Sequence, residues 1–193
     1  MKKVFFLSLF LVAAVFHLAA QEKEPWFVRE FGDELTSRTG NKVNTATVLQ
    51  GKRVGLYFSA LWCGPCRAFT PQLVKFYKRV ARKSNLEIVF ISSDKSPVKM
   101  MEYMKTDSMP WLAVPFDSLT RTKLKKKFRV NGIPRLIILD ENGKVISENA
   151  RWDVVLLGPN AVKEWDKANY KPLTYKDYMS KREKRAPRKK KRK

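Results

Sequence analysis

Residues 53–67 read Arg-Val-Gly-Leu-Tyr-Phe-Ser-Ala-Leu-Trp-Cys-Gly-Pro-Cys-Arg. Arg53 to Ala60 is an apolar run of strand length, the pattern of a strand covered on both faces. After it the period changes. Phe69, Leu73, Phe76, Tyr77 and Val80 share one helical face, with Lys75, Lys78, Arg79 and Arg82 opposite. Cys63 and Cys66, the only cysteines, therefore sit where a buried strand meets a helix. The first turn of a helix leaves backbone N–H groups unpaired and carries about +0.5 charge. A thiolate at Cys63 gains from that field, whereas an unperturbed thiol is only about 3% ionised at pH 7. Cys66 lies one turn further on and deeper, which suits a resolving thiol. Gly64-Pro65 lets the chain enter the helix and fixes φ, keeping the two sulfurs within bridging distance.

Working outward, Leu86–Ser92 is a second buried strand and 97–106 has helical spacing. Residues 109–116 contain two prolines and read as an ordered loop. Residues 118–130 are helical, with Leu124 and Phe128 inward and Lys123, Lys125, Lys126, Lys127 and Arg129 solvated. Arg135–Asp140 is a strand, and Asn142-Gly143 signals a hairpin to a returning strand at 145–147. A last helix is expected from Pro159 to Asn169, with Val162 and Trp165 inward. A β-α-β start and a hairpin-plus-helix finish predict an α/β fold, a sheet sandwiched by helices.

The chain has 193 residues, 40 Lys+Arg against 18 Asp+Glu, two Cys and one His. This is one domain plus tails, and 44% hydrophobic content supplies a core. Met1-Lys2-Lys3, an apolar run from Val4 to Leu18 and Ala19-Ala20 have the layout of a secretory signal peptide, removed after Ala20. The Lys-Lys start looks bacterial. The expectation is therefore a secreted or periplasmic protein, with an uncleaved N-terminal membrane anchor as the alternative. The one histidine, His17, leaves with that segment, and with it go triads and zinc sites built on His. Zinc at Cys63-Cys66 lacks two further ligands, and covalent haem needs a His where Arg67 stands. A purely structural disulfide across a two-residue spacer constrains little chain entropy. The segment from Lys176 to Lys193 holds eleven basic and two acidic residues, and from Ser180 it reads as a disordered arm. Such an arm could hold the protein on an anionic surface, as lipid or cell-wall polymer. Nucleic acid is disfavoured, because no reading motif accompanies the charge.

Trp62-Cys-Gly-Pro-Cys-Arg67 after an apolar strand resembles the active site of the thioredoxin superfamily. Tyr57-Phe-Ser-Ala60, Phe69-Thr-Pro-Gln-Leu73, residues 109–116, Gly132-Ile-Pro134 and Ala150-Arg151 are similar to its tryparedoxin and nucleoredoxin branch. The resemblance implies a thioredoxin-like fold over 40–172, a central mixed sheet flanked by helices with a C-terminal β-hairpin and helix. Residues 21–39 are then an N-terminal extension and 173–193 a basic tail. It also implies a redox disulfide Cys63–Cys66, a cis Pro134 facing it, and substrate pairing at Ile133. Trp62, Gly64, Pro65 and the Trp111 loop would border the site. Three departures stand out. Tyr57 occupies the place of thioredoxin's buried acid. Gly-Pro stands between the cysteines, where the branch usually has Pro-Pro. Arg135 follows the proline, where an inward cation would favour acidic partners. The activity implied is protein thiol–disulfide exchange by a monomer that needs no bound cofactor and draws electrons from a protein donor. Gly-Pro resembles the reducing members.

Overall fold

The computed structural model describes residues 24–185; the expected signal segment and the last eight residues lie outside them. The order of elements is α1 (Trp26–Phe31), β1 (Glu34–Thr36), β2 (Lys42–Asn44), α2 (Thr45–Leu49), β3 (Arg53–Ser59) and α3 (Gly64–Ser84). These are followed by β4 (Leu86–Ser92), α4 (Pro97–Thr106), β5 (Leu112–Ala113), α5 (Thr120–Lys127), β6 (Arg135–Leu139) and β7 (Val145–Ser147). The chain then forms α6 (Arg151–Leu157), a 3-10 turn (Gly158–Asn160), α7 (Ala161–Trp165) and α8 (Tyr175–Arg185).

The seven strands form one mixed sheet in the order β2-β1-β5-β4-β3-β6-β7. β3 is central. It runs parallel to β4, from Arg53 opposite Leu86 to Ser59 opposite Ser92, and antiparallel to β6, from Val54 opposite Leu139 to Phe58 opposite Arg135. Strand alternation splits its side chains between two cores. Tyr57 joins Phe69, Leu73 and Phe76 of α3, Tyr103 of α4 and Trp165 of α7. Val54, Leu56 and Phe58 join Phe27 and Phe31 of α1, Leu49 of α2 and Leu124 of α5. Each such side chain contributes about 1.5–3 kcal/mol on burial. That outweighs local propensity differences of up to about 0.7 kcal/mol per residue, so packing fixes the short, lysine-rich α5 through Leu124.

Three boundaries differ from the sequence expectation. Of the expected extension 21–39, the described residues from 24 on are part of the domain, because Phe27, Phe31 and Leu35 are buried in the second core and β1 pairs with β2 and β5. Of the helix expected over Pro159–Asn169 only α7, Ala161–Trp165, forms, and a turn at Gly158 (φ 54°) and Pro159 separates it from α6 ahead of it. Trp165 is buried as expected, while Val162 is only partly so. The region read as an arm from Ser180 continues α8 to Arg185. Thr174 and Asp177 cap that helix reciprocally, and Tyr178 stacks on Trp152 at 5.0 Å between ring centroids. Buried Asp153 ties this end of the chain down by accepting from the Ser147 hydroxyl, the Trp165 indole and the Leu173 N–H.

The N-terminal helix is pinned to the far hairpin. The Trp26 indole N–H donates to the Glu141 carbonyl at 2.7 Å, and its ring covers Gly143, whose φ is +82°. A Cβ on Gly143 would come within 2.7 Å of that ring. Gly143→Ala is therefore expected to lower unfolding free energy in urea by about 2–3 kcal/mol, from left-handed backbone strain plus a displaced indole. An unchanged urea midpoint would contradict this reading of the hairpin.

Candidate active site

The carboxyl end of β3 delivers the chain into α3 within four residues. Cys63 caps that helix in an extended conformation, and its sulfur accepts the Cys66 N–H at 3.2 Å. Cys63 and Cys66 form a disulfide with their Cα atoms 5.2 Å apart. Cys63 is 6% exposed and Cys66 fully buried, so only the first sulfur meets an incoming group. Reduction leaves Cys63 facing unpaired helix N–H groups, which favours its thiolate over that of the enclosed Cys66.

The loop before β6 approaches from the other side. The Ile133–Pro134 bond is cis, and the Ile133 carbonyl oxygen lies 3.8 Å from the Cys63 sulfur. Ile133 also packs on the small apolar cluster of Ala60, Cys63 and Cys66. Trp62, Cys63, Gly64, Pro65 and Ile133 line one groove of about 500 Å³. Trp62 is 62% exposed, and its indole N–H donates to the Ser93 carbonyl at 3.1 Å, which fixes the ring beside the sulfurs.

Trp111, an expected site residue, and Arg135, whose cation would matter at the site only if it pointed inward, both lie elsewhere. Trp111 is 2% exposed and packs edge-on to Tyr57 and Tyr77 within the core, held there by the pairing of the next two residues, β5, with β4. It braces the site's floor and does not border it. Arg135 donates to the Glu148 carbonyl and lines a separate cavity with Trp152 and Tyr175, away from the disulfide groove.

The structure adds groups that chain order does not bring together. Behind Cys66 lies a buried hydroxyl set. The Thr70 hydroxyl donates to the Cys66 carbonyl at 3.0 Å, leaving its lone pairs to accept from the Tyr57 phenol at 2.6 Å and the Tyr103 phenol at 2.5 Å. Ser59 then bonds Tyr103 at 3.0 Å. Burial pushes both phenols above their ordinary range, so they stay neutral. Tyr57 thus fills the place of an acid without supplying a charge. In front, Asp94 accepts the Leu61 N–H at 2.8 Å and the Ser92 hydroxyl at 2.8 Å, and so holds the segment that carries Trp62. Burial raises the Asp94 carboxyl above the usual range, while Ser92, the Leu61 N–H and Arg121 pull it back. The available sequence signal for Asp94 is its position past the carboxyl end of a parallel strand, where open α/β sheets place ligand-binding loops.

A bridged cysteine pair at the head of a helix, with a cis-proline loop against its less buried sulfur, places the chain in the class of thioredoxin-like proteins. A thioredoxin-like family model matches residues 51–145. The probable nucleoredoxin 1 of Arabidopsis thaliana is 48% identical over 118 residues, 61% of this chain and 20% of that protein. Human nucleoredoxin is 38% identical over 136 residues, 68% of this chain and 31% of its own length. This chain thus spans a fifth to a third of these relatives. Native tryparedoxin I from Crithidia fasciculata superposes with a TM-score of 0.65 at 36% identity, over 76% of this chain and 99% of that one. The tryparedoxin of Trypanosoma brucei gives 0.65 and 36%, over 72% and 98%. The chain belongs to the thioredoxin superfamily, in its tryparedoxin and nucleoredoxin group.

Thr70→Val removes the one hydroxyl shared by both phenols and the Cys66 carbonyl. It is expected to destabilise the oxidised protein by about 1–3 kcal/mol in urea unfolding, the cost of leaving buried polar groups short of a partner. A loss below about 0.5 kcal/mol would show that the three bonds carry little net weight.

Proposed function

We propose that the protein reduces disulfides in partner proteins. The Cys63 thiolate attacks one sulfur of the partner disulfide, forming a mixed disulfide and releasing the other partner sulfur as a thiolate. Cys66, deprotonated as it attacks, then displaces the partner from Cys63. The products are a Cys63–Cys66 disulfide and a fully reduced partner, two electrons having passed to the partner. A protein dithiol returns the electrons by the reverse exchange. The observation that carries this reading is the asymmetry of the pair, Cys63 lining the groove at the helix head with 6% of its surface exposed and Cys66 wholly enclosed beneath it.

Cys63→Ser is expected to abolish dithiothreitol-driven reduction of insulin. Cys66→Ser is expected to leave the first attack intact and accumulate a mixed disulfide visible by intact mass. Undiminished turnover in Cys63→Ser ends the nucleophile assignment. A reduction potential near about −270 mV marks a reductase, and one near about −120 mV an oxidant.

Export completes the proposal. The support is the order of basic start, apolar run and small residues over positions 1–20. The basic C-terminal segment gives an exported protein a means of staying on anionic lipid. One preparation tests both. Expression in a bacterial host should yield a mature chain beginning at Gln21, and that chain should sediment with phosphatidylglycerol vesicles at low salt. A full-length mass in the soluble fraction counts against export, and absence from the vesicle pellet counts against the lipid role.

A further inference from the structure

Two grooves meet at Trp62. One runs past Cys63 and includes Lys125, Asn131 and Gly132; the other, about 570 Å³, is walled by Leu61, Asp94, Lys95 and Lys99. A polypeptide that brings a disulfide to Cys63 must lie across the indole and along these walls. Their charge is one-sided. Among the described residues Asp94 is the only acidic one lining them, and it is 7% exposed with its oxygens taken by Leu61 and Ser92. Lys99 is paired with Glu102 at 2.7 Å. Among the described residues, Lys95 and Lys125 make no ion pair. They stand in different grooves, on either side of Trp62.

We propose that this rim selects partners whose disulfide lies in an acidic polypeptide segment, carboxylates before and after the cysteine meeting Lys95 and Lys125. The inference rests on the exchange chemistry proposed above. It assigns selectivity to two residues that take no part in the chemistry. Exposed Lys95 and half-buried Lys125 give modest attraction that salt screens over about 10 Å at 0.1 M, so the effect belongs to encounter and choice of partner more than to tight holding.

The test separates recognition from turnover. Full-length protein carrying Cys63→Ser is titrated at low salt with two short cyclic disulfide peptides of equal length, one flanked by glutamates and the other by lysines. Indole fluorescence reports binding. The acidic peptide is expected to bind about five- to tenfold more tightly, with the preference lost in Lys95→Glu/Lys125→Glu and at high salt. Lys95→Gln/Lys125→Gln, which only removes charge, should reduce it partway, and circular dichroism checks that both variants fold. Equal binding of the two peptides overturns the proposal. So does a preference that survives both charge reversals, which would place the acid on the basic C-terminal segment. A preference that glutathione disulfide abolishes by competition at matched concentration would assign the rim to small carboxylate disulfides instead. Reduction rates with unsubstituted protein are measured apart. Charge-selective binding without reduction would sink the activity and leave the rim standing.

Discussion

The junction between β3 and α3 is the constraint on which the rest depends. β3 is hydrogen-bonded on both sides, by β4 and by β6, and its last residues have no freedom to shift along the sheet. The helix that follows is held by Phe69, Leu73, Phe76 and Val80 against the same sheet. Between two such fixed elements Cys63 must take up the capping position, and its sulfur must meet the Cys66 N–H. The redox pair is thus positioned by the two largest blocks of buried apolar surface, and the loop itself needs little strength.

What surrounds the sulfurs divides into a neutral interior and a charged exterior. Behind Cys66 the hydrogen-bonded set consists of hydroxyls and a carbonyl, and burial keeps the phenols protonated. No carboxylate among these groups can compete with the helix head for the charge on Cys63. Asp94, in front of the pair, is spent on the Leu61 N–H and the Ser92 hydroxyl, which makes it a brace for Trp62. Local electrostatics at the Cys63 sulfur are then set by the helix N–H groups, which act at contact and favour a thiolate, and by surface lysines, which act from further off and are the more readily screened by salt.

Much of this was legible in the chain. The change of period across Ala60–Phe69 located the junction, and continuous apolar runs located β3, β4 and β6. The misses have separate physical causes. β1 and β2 are three residues each, too short for alternation to register, yet Leu35 fills the core. Pro159 carries the signal of a helix start, but Gly158 before it takes φ 54°, so the pair breaks one helix from the next. α8 is polar almost throughout and looked like an arm; the overlooked cues were Thr174 and Asp177 at capping distance and two tyrosines three apart. At the site, Cys63, Cys66, Trp62, Ile133 and Pro134 follow motifs within one short stretch or one loop. Ser59 and Thr70 meet Tyr103, and Asp94 meets Leu61, only because α3 and α4 fold over the ends of β3 and β4, and sequence separations of 33 and 44 residues carry no local signal. Trp111 shows the opposite failure, since a tryptophan in a proline-flanked loop suits a rim and a core equally well until the sheet is closed by β5.

The large positive charge can now be placed without disturbing the chemistry. A chain this basic repels itself, and a compact domain tolerates the surplus only where the ammonium groups stay in water. The fold meets that condition by putting lysines on the outer faces of α5 and α8, while Leu124, Tyr178 and Trp152 do the anchoring. Charge on such faces costs little stability and acts at the range of an encounter. The disulfide, by contrast, reacts only at contact. A protein arranged in this way can change which partners it meets by altering surface lysines, with the sulfur pair, its helix and the hydroxyls behind it left untouched.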